Sequence, residues 1–216
     1  MHIAIIGTGV VGVSIARGLK GKGHSVVLGT RDPHAADIMS TAAAADAGLA
    51  KPDEAAAGAD IIILALPWAA AEQATKALGD LSGKIVIDCM NPLGMVNGAL
   101  GLTIGHNTSV GEIVQGWLGS ARVVKTLNQV GAEMMANNRG LPHRPVMFMA
   151  GNDEAAKAAV AKLLVDLGFD PLDAGDITRS RLLEPFAMVW INQALLRGKG
   201  RKWALAAITS KENNDE

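Results

Sequence analysis

The sequence predicts an α/β fold, a doubly wound parallel sheet with a short C-terminal helical extension, and three observations predict it. Short apolar runs alternate with segments of helical spacing through most of the 216 residues. A Gly-x-Gly-x-x-Gly pattern, Gly7 to Gly12, joins the first run to the first helical segment. The run Asp60–Leu66 is apolar without alternation, as in a parallel strand buried on both faces.

The elements follow in order. His2–Ile6 reads as a strand, and Val10–Lys20 as a helix with Val11, Ile15 and Leu19 on one face. Ser25–Gly29 is the second strand. Pro33–Ala45 is the second helix, with Asp32 as N-cap and Pro33 at the first helical position. After the strand Asp60–Leu66 comes a helix over Trp68–Leu78. Lys84–Asp88, Arg122–Thr126 and Val146–Ala150 supply further strands, and Asp153–Leu167 another helix. The alanine-rich stretch Thr41–Ala59 is a mild bias within helices. Asn91–Asn107 is glycine-rich, lacks a period and is long enough to be a functional loop. The alternation stops near Asp176. Arg179–Leu196 is then helical and apolar almost all round, with too little chain left to cover it, so a second subunit is the expected cover.

Hydrophobic residues make up 49% of the chain and charged residues 19%, which excludes disorder over most of its length. Twenty basic residues balance 21 acidic ones, for a formal charge of -1, so neither nucleic acid nor an anionic membrane is the expected partner. No apolar run approaches the ~20 residues of a membrane span, and no signal peptide is read at Met1. A single cysteine, Cys89, leaves no intramolecular disulfide and no cysteine-built zinc site, and points to a reducing, cytoplasmic setting. No His/Glu spacing or acid cluster suggests a metal.

Gly7-Thr8-Gly9-Val10-Val11-Gly12 lies where a Rossmann dinucleotide site needs it, between strand and helix. Gly7 permits the tight turn, Gly9 admits a pyrophosphate to the backbone, and Gly12 lets helix and strand pack closely. The helix N-terminus offers free N–H groups to the phosphates. The second strand selects the dinucleotide. Where an NAD site places an acid, this chain has Leu28-Gly29-Thr30-Arg31, a hydroxyl and a guanidinium suited to a 2′-phosphate. NADP is the expected cofactor.

Dehydrogenases acting on alcohols need a proton partner at the nicotinamide, yet the chain has no tyrosine, and of its five histidines only His106 lies where it could reach the site. The simplest resolution is a flavin or deazaflavin acceptor, which takes hydride directly and needs no catalytic side chain. Cys89 is read as a small hydrophobe. Met134 and Met135 suit an apolar wall, and Arg139, His143 and Arg144 form a basic loop that either is solvated or meets an anionic tail of the acceptor.

Several stretches carry a resemblance that covers nearly the whole chain up to about Trp203. They are Ile3–Gly12, Leu66-Pro67-Trp68, Asp88-Cys89-Met90-Asn91-Pro92-Leu93, Val124-Lys125-Thr126-Leu127-Asn128, and Leu167–Asp170 with Arg181-Leu182-Leu183-Glu184-Pro185. Together these resemble the NADPH-dependent coenzyme F-420 reductases, or F-420:NADP oxidoreductases. The cytoplasmic dinucleotide domain of the six-transmembrane metalloreductases is also similar.

The resemblance implies that NADP lies along Thr8, Gly9, Val10 and Val11, with Thr30 and Arg31 on the 2′-phosphate. It implies that Leu66, Pro67 and Ala70 line the adenosine and ribose side, and that Asn91, Pro92, Asn128 and Val130 surround the nicotinamide, with Gly131 beside them. Two positions depart from the pattern: Pro33-His34-Ala35-Ala36 where a basic residue often follows the Thr–Arg pair, and Gln129 where a small hydroxyl residue is commoner. The implied activity is hydride transfer between NADPH and F-420. The alternatives are an NADPH-dependent flavin or metal reductase, and a non-catalytic NADP-binding regulator. The expected organisation is an NADP-binding domain over 1–175, an extension over 176–209 serving dimerisation and part of the acceptor site, and a flexible tail over 210–216. The expected assembly is a homodimer with a small-molecule co-substrate.

Overall fold

The computed structural model describes residues 1–210; of the predicted tail, all but Ser210 lies outside the described residues. The chain opens with β1 (His2–Ile6), α1 (Val10–Leu19) and β2 (Ser25–Gly29). It continues with α2 (Ala36–Ala45), β3 (Gly48–Ala50), α3 (Pro52–Ala57), β4 (Ile61–Leu64), α4 (Trp68–Lys76) and β5 (Ile85–Asp88). A hairpin of β6 (Leu93–Val96) and β7 (Ala99–Leu102) follows, then α5 (Val110–Leu118) and β8 (Arg122–Lys125). The remainder is α6 (Ala132–Ala136), β9 (Val146–Gly151), α7 (Glu154–Asp166), β10 (Asp170–Asp173) and α8 (Ser180–Ile191).

Eight strands form one sheet in the order β10-β9-β8-β5-β4-β1-β2-β3. The order reverses between β1 and β4, the switch point of a Rossmann-type sheet, and the chain has the predicted α/β fold. Alternate residues of each inner strand feed opposite layers. Ile3 and Ile5 join α1 and α7 residues on one face. Ala4 and Ile6 join Val110, Val114 and the α3 alanines on the other. All four residues of β4 and of β5 are buried, which is why their sequences show no polar alternation.

The structure corrects four readings. First, β9 is antiparallel to β8, pairing Val124 with Gly151 and Lys125 with Ala150, so the sheet is parallel only in part. Second, α2 begins at Ala36, and its N-cap Ala35 makes no side-chain cap. The Asp32 carboxylate instead accepts from His34 N at 3.1 Å, holding a local turn ahead of the helix. Third, Asn91–Asn107 is not an aperiodic loop but contains the β6–β7 hairpin. It turns at Asn97 and Gly98, both in the left-handed region, as a two-residue hairpin requires.

The fourth correction concerns the C-terminal helix. It is continuous from a 3-10 turn at Ile177–Arg179 through α8 into a π-helical end at Asn192–Leu196. Its own following chain covers one side. Trp190 stacks on Trp203 at 5.7 Å and donates to the Trp203 carbonyl at 3.0 Å. Val146 N donates to Leu205 O at 2.8 Å, which draws the last segment across the molecule. Trp190 and Ile191 are therefore buried within the chain, whereas Leu182 (62% exposed), Val189 (56%), Leu195 and Leu196 remain bare.

Candidate functional site

The carboxyl ends of β1, β2, β4, β5 and β8 lie along one edge of the sheet, because these five strands run parallel. The residues after each strand are the predicted site residues: Gly7–Gly12, Thr30 and Arg31, Leu66–Ala70, Asn91 and Pro92, and Asn128–Gly131.

The glycine loop is shaped by three different constraints. Gly7 has φ +118°, and a Cβ there would sit 2.3 Å from the Ala65 carbonyl oxygen. At Gly12 a Cβ would sit 2.1 Å from the Gly7 oxygen, so that glycine packs helix against turn. At Gly9 a Cβ would meet nothing within 4 Å. Gly9 is the N-cap of α1 and supplies no side-chain cap, so the first-turn N–H groups open onto that free space. Val10 is 69% exposed beside it, an apolar side chain left open to the same space. A pyrophosphate fits this cradle. Thr30 and Arg31 lie at the end of β2, and among the described residues Arg31 has no ion-pair partner, which leaves its guanidinium available to a phosphate. Leu66 is half-buried, and Pro67 and Ala70 are exposed at the start of α4.

The other half of the edge is a wall of paired amides. Asn91 Nδ2 donates to Asn128 O at 2.8 Å, and Asn128 Nδ2 donates to Asn91 Oδ1 at 3.0 Å. Pro92 and Val130 are buried beside them. Gly131 is also buried, but it makes room for the C-terminal segment: a Cβ there would lie 2.8 Å from the Trp190 ring and 3.0 Å from Arg201 O. Gln129 serves the sheet. Its amide donates to Phe148 O at 2.9 Å and accepts from Phe148 N at 3.0 Å, replacing strand pairing where β8 has ended.

Behind the wall lies a charge cluster that sequence reasoning missed. Lys125, fully buried, places Nζ 3.0 Å from Asp88 Oδ2, 3.0 Å from Glu184 Oε1 and 2.5 Å from the Met90 carbonyl. Glu184 also accepts from Val110 N and Gly111 N, capping α5 from a distant helix. Burial pushes the Glu184 carboxyl up. Burial pulls on Lys125 in the opposite sense, but the Asp88 and Glu184 carboxylates outweigh it and hold the amine above its ordinary value. The available signal was Lys125 ending a strand otherwise read as buried.

The remaining candidates are placed apart. Cys89 is buried and donates to Leu64 O at 3.0 Å; burial, with the Asp88 charge, pushes its thiol up to about 12. Met134 and Met135 are buried in the core against α1. His106 is exposed and lines a cleft of about 850 Å³ between the chain after β7 and α8, with Arg181, Leu182, Pro185 and Met188. Thr103 ties this cleft to the wall by donating from N to Pro92 O at 2.8 Å. Arg139, His143 and Arg144 line another cleft, of about 540 Å³, with Arg17, Lys20 and Lys22. That cleft lies at the C-terminal end of α1, away from the glycine loop. The C-terminal ends of α6 and α7 meet it there, and cations neutralise such carbonyl ends. Among the described residues no group of three or more His, Cys, Asp and Glu could hold a metal, and no helix is long and apolar enough to cross a membrane.

Comparison with known proteins identifies the family and agrees with the fold. The family described as "NADP oxidoreductase coenzyme F420-dependent" matches residues 2–92. The crystal structure of a candidate F420-dependent NADP-reductase from Arthrobacter sp. FB24 superposes with a TM-score of 0.86 at 36% identity, covering 97% of this chain and 100% of that one. A hypothetical protein from Sinorhizobium meliloti gives a TM-score of 0.73 at 27% identity, covering 85% of this chain and 90% of that one. Metalloreductase STEAP3 of Rattus norvegicus is 27% identical over 183 residues, which are 84% of this chain but only 35% of that protein. With a full-length relative above 30% identity and the family match over its dinucleotide half, the chain belongs to the NADP oxidoreductase, coenzyme F420-dependent family.

Proposed function

We propose that this protein transfers hydride between NADPH and the deazaflavin coenzyme F-420. The observation that carries the reading is the chemistry of the wall beside the open glycine cradle. Its polar side chains are two amides already paired with each other, its thiol is held protonated, and its lysine is enclosed between two carboxylates. Such a wall positions a ring and offers no free acid or base of its own; exposed His106 lines the adjoining cleft. The wall suits an acceptor that takes hydride without a proton from the protein. NADPH supplies the hydride. The chain contributes the cradle at Thr8–Gly12, the 2′-phosphate contacts of Thr30 and Arg31, and the two amide-linked segments that orient the nicotinamide. Proximity of this kind is worth roughly 7–11 kcal/mol when the reacting atoms are held near contact. The cleft of about 850 Å³ beside Thr103 and α8 is the acceptor's expected place, with residues 176–209 acting as an extension of the 1–175 domain.

The STEAP3 relationship favours a second reading, reduction of a flavin or a metal complex by the same bound NADPH. One assay separates the two. NADPH is mixed with F-420, with free flavin or with a ferric chelate in a cytoplasm-like reducing buffer. Bleaching of the deazaflavin alone supports the first reading, and reduction of flavin or iron without F-420 turnover replaces it with the second. Binding of NADPH with no turnover of any acceptor would mark a non-catalytic NADP sensor.

The bare residues Leu182, Val189, Leu195 and Leu196, together with Leu93, Met95 and Val96 of the hairpin, support a homodimer formed through α8. Leu182→Asp with Val189→Asp should give a monomer by light scattering. A wild-type monomer at micromolar concentration would remove the proposal.

A further inference from the structure

Leu127 is a bulky, fully buried residue with φ +59°, in the left-handed region where such side chains are strained. The strain sits between Lys125 and Asn128 and turns the chain off the end of β8. Fixed neighbours impose it: Thr126 Oγ1 donates to Phe148 O at 2.8 Å, and Gln129 grips both polar groups of the same residue. The turn aims Asn128 at Asn91 on one side and, through Nδ2, at the Leu183 carbonyl of α8 at 3.3 Å on the other. On the neighbouring strand Lys125 Nζ holds the Met90 carbonyl, and Asp88 Oδ1 accepts from Met90 N at 2.9 Å. Met90 is thus fixed by both of its backbone groups immediately before Asn91. Glu184 joins Lys125 to α8 and to the start of α5.

One basic and two acidic side chains share a single buried pocket. A buried ion pair is weak evidence for stability, since apolar residues of similar size often serve as well. The arrangement instead specifies position: Lys125 and Asp88 bond the backbone of Met90 just before Asn91, and Glu184 joins Lys125 to α8 and to the start of α5. We propose that Lys125 and Glu184 are positioning residues for the nicotinamide. Lys125 fixes the Asn91–Pro92 wall through the Met90 carbonyl, and Glu184 ties that wall to α8. The proposal rests on the reading that the nicotinamide lies against Asn91 and Asn128, and it concerns only that end of the dinucleotide. The adenosine 2′-phosphate end, at Thr30 and Arg31, hangs from a different strand and shares none of these bonds.

The test compares two ligands on the full chain: NADPH, and adenosine 2′,5′-bisphosphate, which lacks the nicotinamide. In Lys125→Met the NADPH dissociation constant should rise by about tenfold while that of the bisphosphate stays within about twofold. The nicotinamide emission of bound NADPH should move toward its free value. Equal weakening of both ligands would mean a general structural role and would overturn the proposal, as would no change in either. If Lys125→Met does not fold, Glu184→Gln decides, since it leaves Lys125 its bonds to Asp88 and Met90. A selective loss of about threefold or more for NADPH supports the proposal, and unchanged or parallel affinities overturn it. Because both ligands are read by binding, a wild-type protein that binds NADPH but fails to bleach F-420 counts against the acceptor and not against this role.

Discussion

Replacing Gly9 by alanine and, separately, Gly12 by alanine adds the same methyl group three residues apart, with different consequences expected for stability. Gly9 has φ -73° and ψ 179°, a conformation alanine adopts freely, and its added Cβ meets nothing within 4 Å. Gly9→Ala should therefore fold as the parent does, or gain the ~0.4–1 kcal/mol that a less flexible unfolded chain provides at a compatible site. The methyl instead fills the space in front of the first turn of α1. Loss of one charge-assisted bond from that turn to a phosphate amounts to ~1.5–3 kcal/mol, or about ten- to a hundredfold in affinity. Gly12→Ala places its Cβ 2.1 Å from a backbone oxygen and 3.2 Å from Ile5, in a tightly packed strand–helix contact that must move apart. It should lower the melting temperature as well as NADPH binding. Thermal melts and NADPH fluorescence titrations on the two variants measure both quantities. Parental NADPH affinity in Gly9→Ala, with an unchanged melt, would show that the pyrophosphate does not cross Gly9 and would refute the cofactor placement.

Arg31→Ala should weaken NADPH about ten- to a hundredfold and NADH far less, read by parallel titrations; equal losses would assign Arg31 a structural role. Cys89, with its thiol pushed up to about 12, should resist iodoacetamide in the native protein at pH 8 and react once the chain is unfolded, as mass spectrometry would record. Glu112 accepts from Arg181 Nε at 2.8 Å and from its NH2 group at 2.5 Å, and the guanidinium holds its carboxyl below the ordinary value. A depressed carboxylate contributes stability that is complete above its unfolded pKa and is lost as pH falls through the folded one. Glu112→Gln should thus flatten the acid limb of the urea midpoint below about pH 5, and an unaltered limb would contradict the assignment.

The sheet was legible because its inner strands are buried on both faces, and burial on both faces leaves an unbroken apolar run. The glycine loop was legible because its spacing reports three steric demands at once. Elements whose pattern depends on a partner elsewhere were not. The direction of β9 leaves no mark in Val146–Gly151, since a buried strand reads the same whether it runs parallel or antiparallel. The hairpin did leave one, the Asn97-Gly98 pair between two apolar quartets, but its glycine-rich surroundings hid the alternation. The C-terminal helix, apolar almost all round, suggested a partner subunit as its cover. The charged pair Arg201 and Lys202 precedes Trp203, which nonetheless folds back to cover Trp190.

The charge cluster and Gly131 show the deeper limit. Lys125, Asp88 and Glu184 are far apart in the chain, and each alone reads as a surface charge or a cap. Only the convergence of two strand ends with α8 makes their burial tolerable, since a charge leaves water at acceptable cost when its partner and hydrogen bonds arrive with it. Gly131 carries the complementary lesson. Its glycine signals a close approach, as Gly12 does, yet the approaching group is the chain's own Trp190 and Arg201. A valine at 131 would therefore disturb the C-terminal cover before it could separate two cofactor rings, and turnover lost in that variant would not by itself report on hydride transfer. Lys125 and Glu184 are the cleaner probes of the nicotinamide wall: Lys125 reaches it through the Met90 carbonyl, Glu184 acts through Lys125, and both leave the glycine cradle untouched.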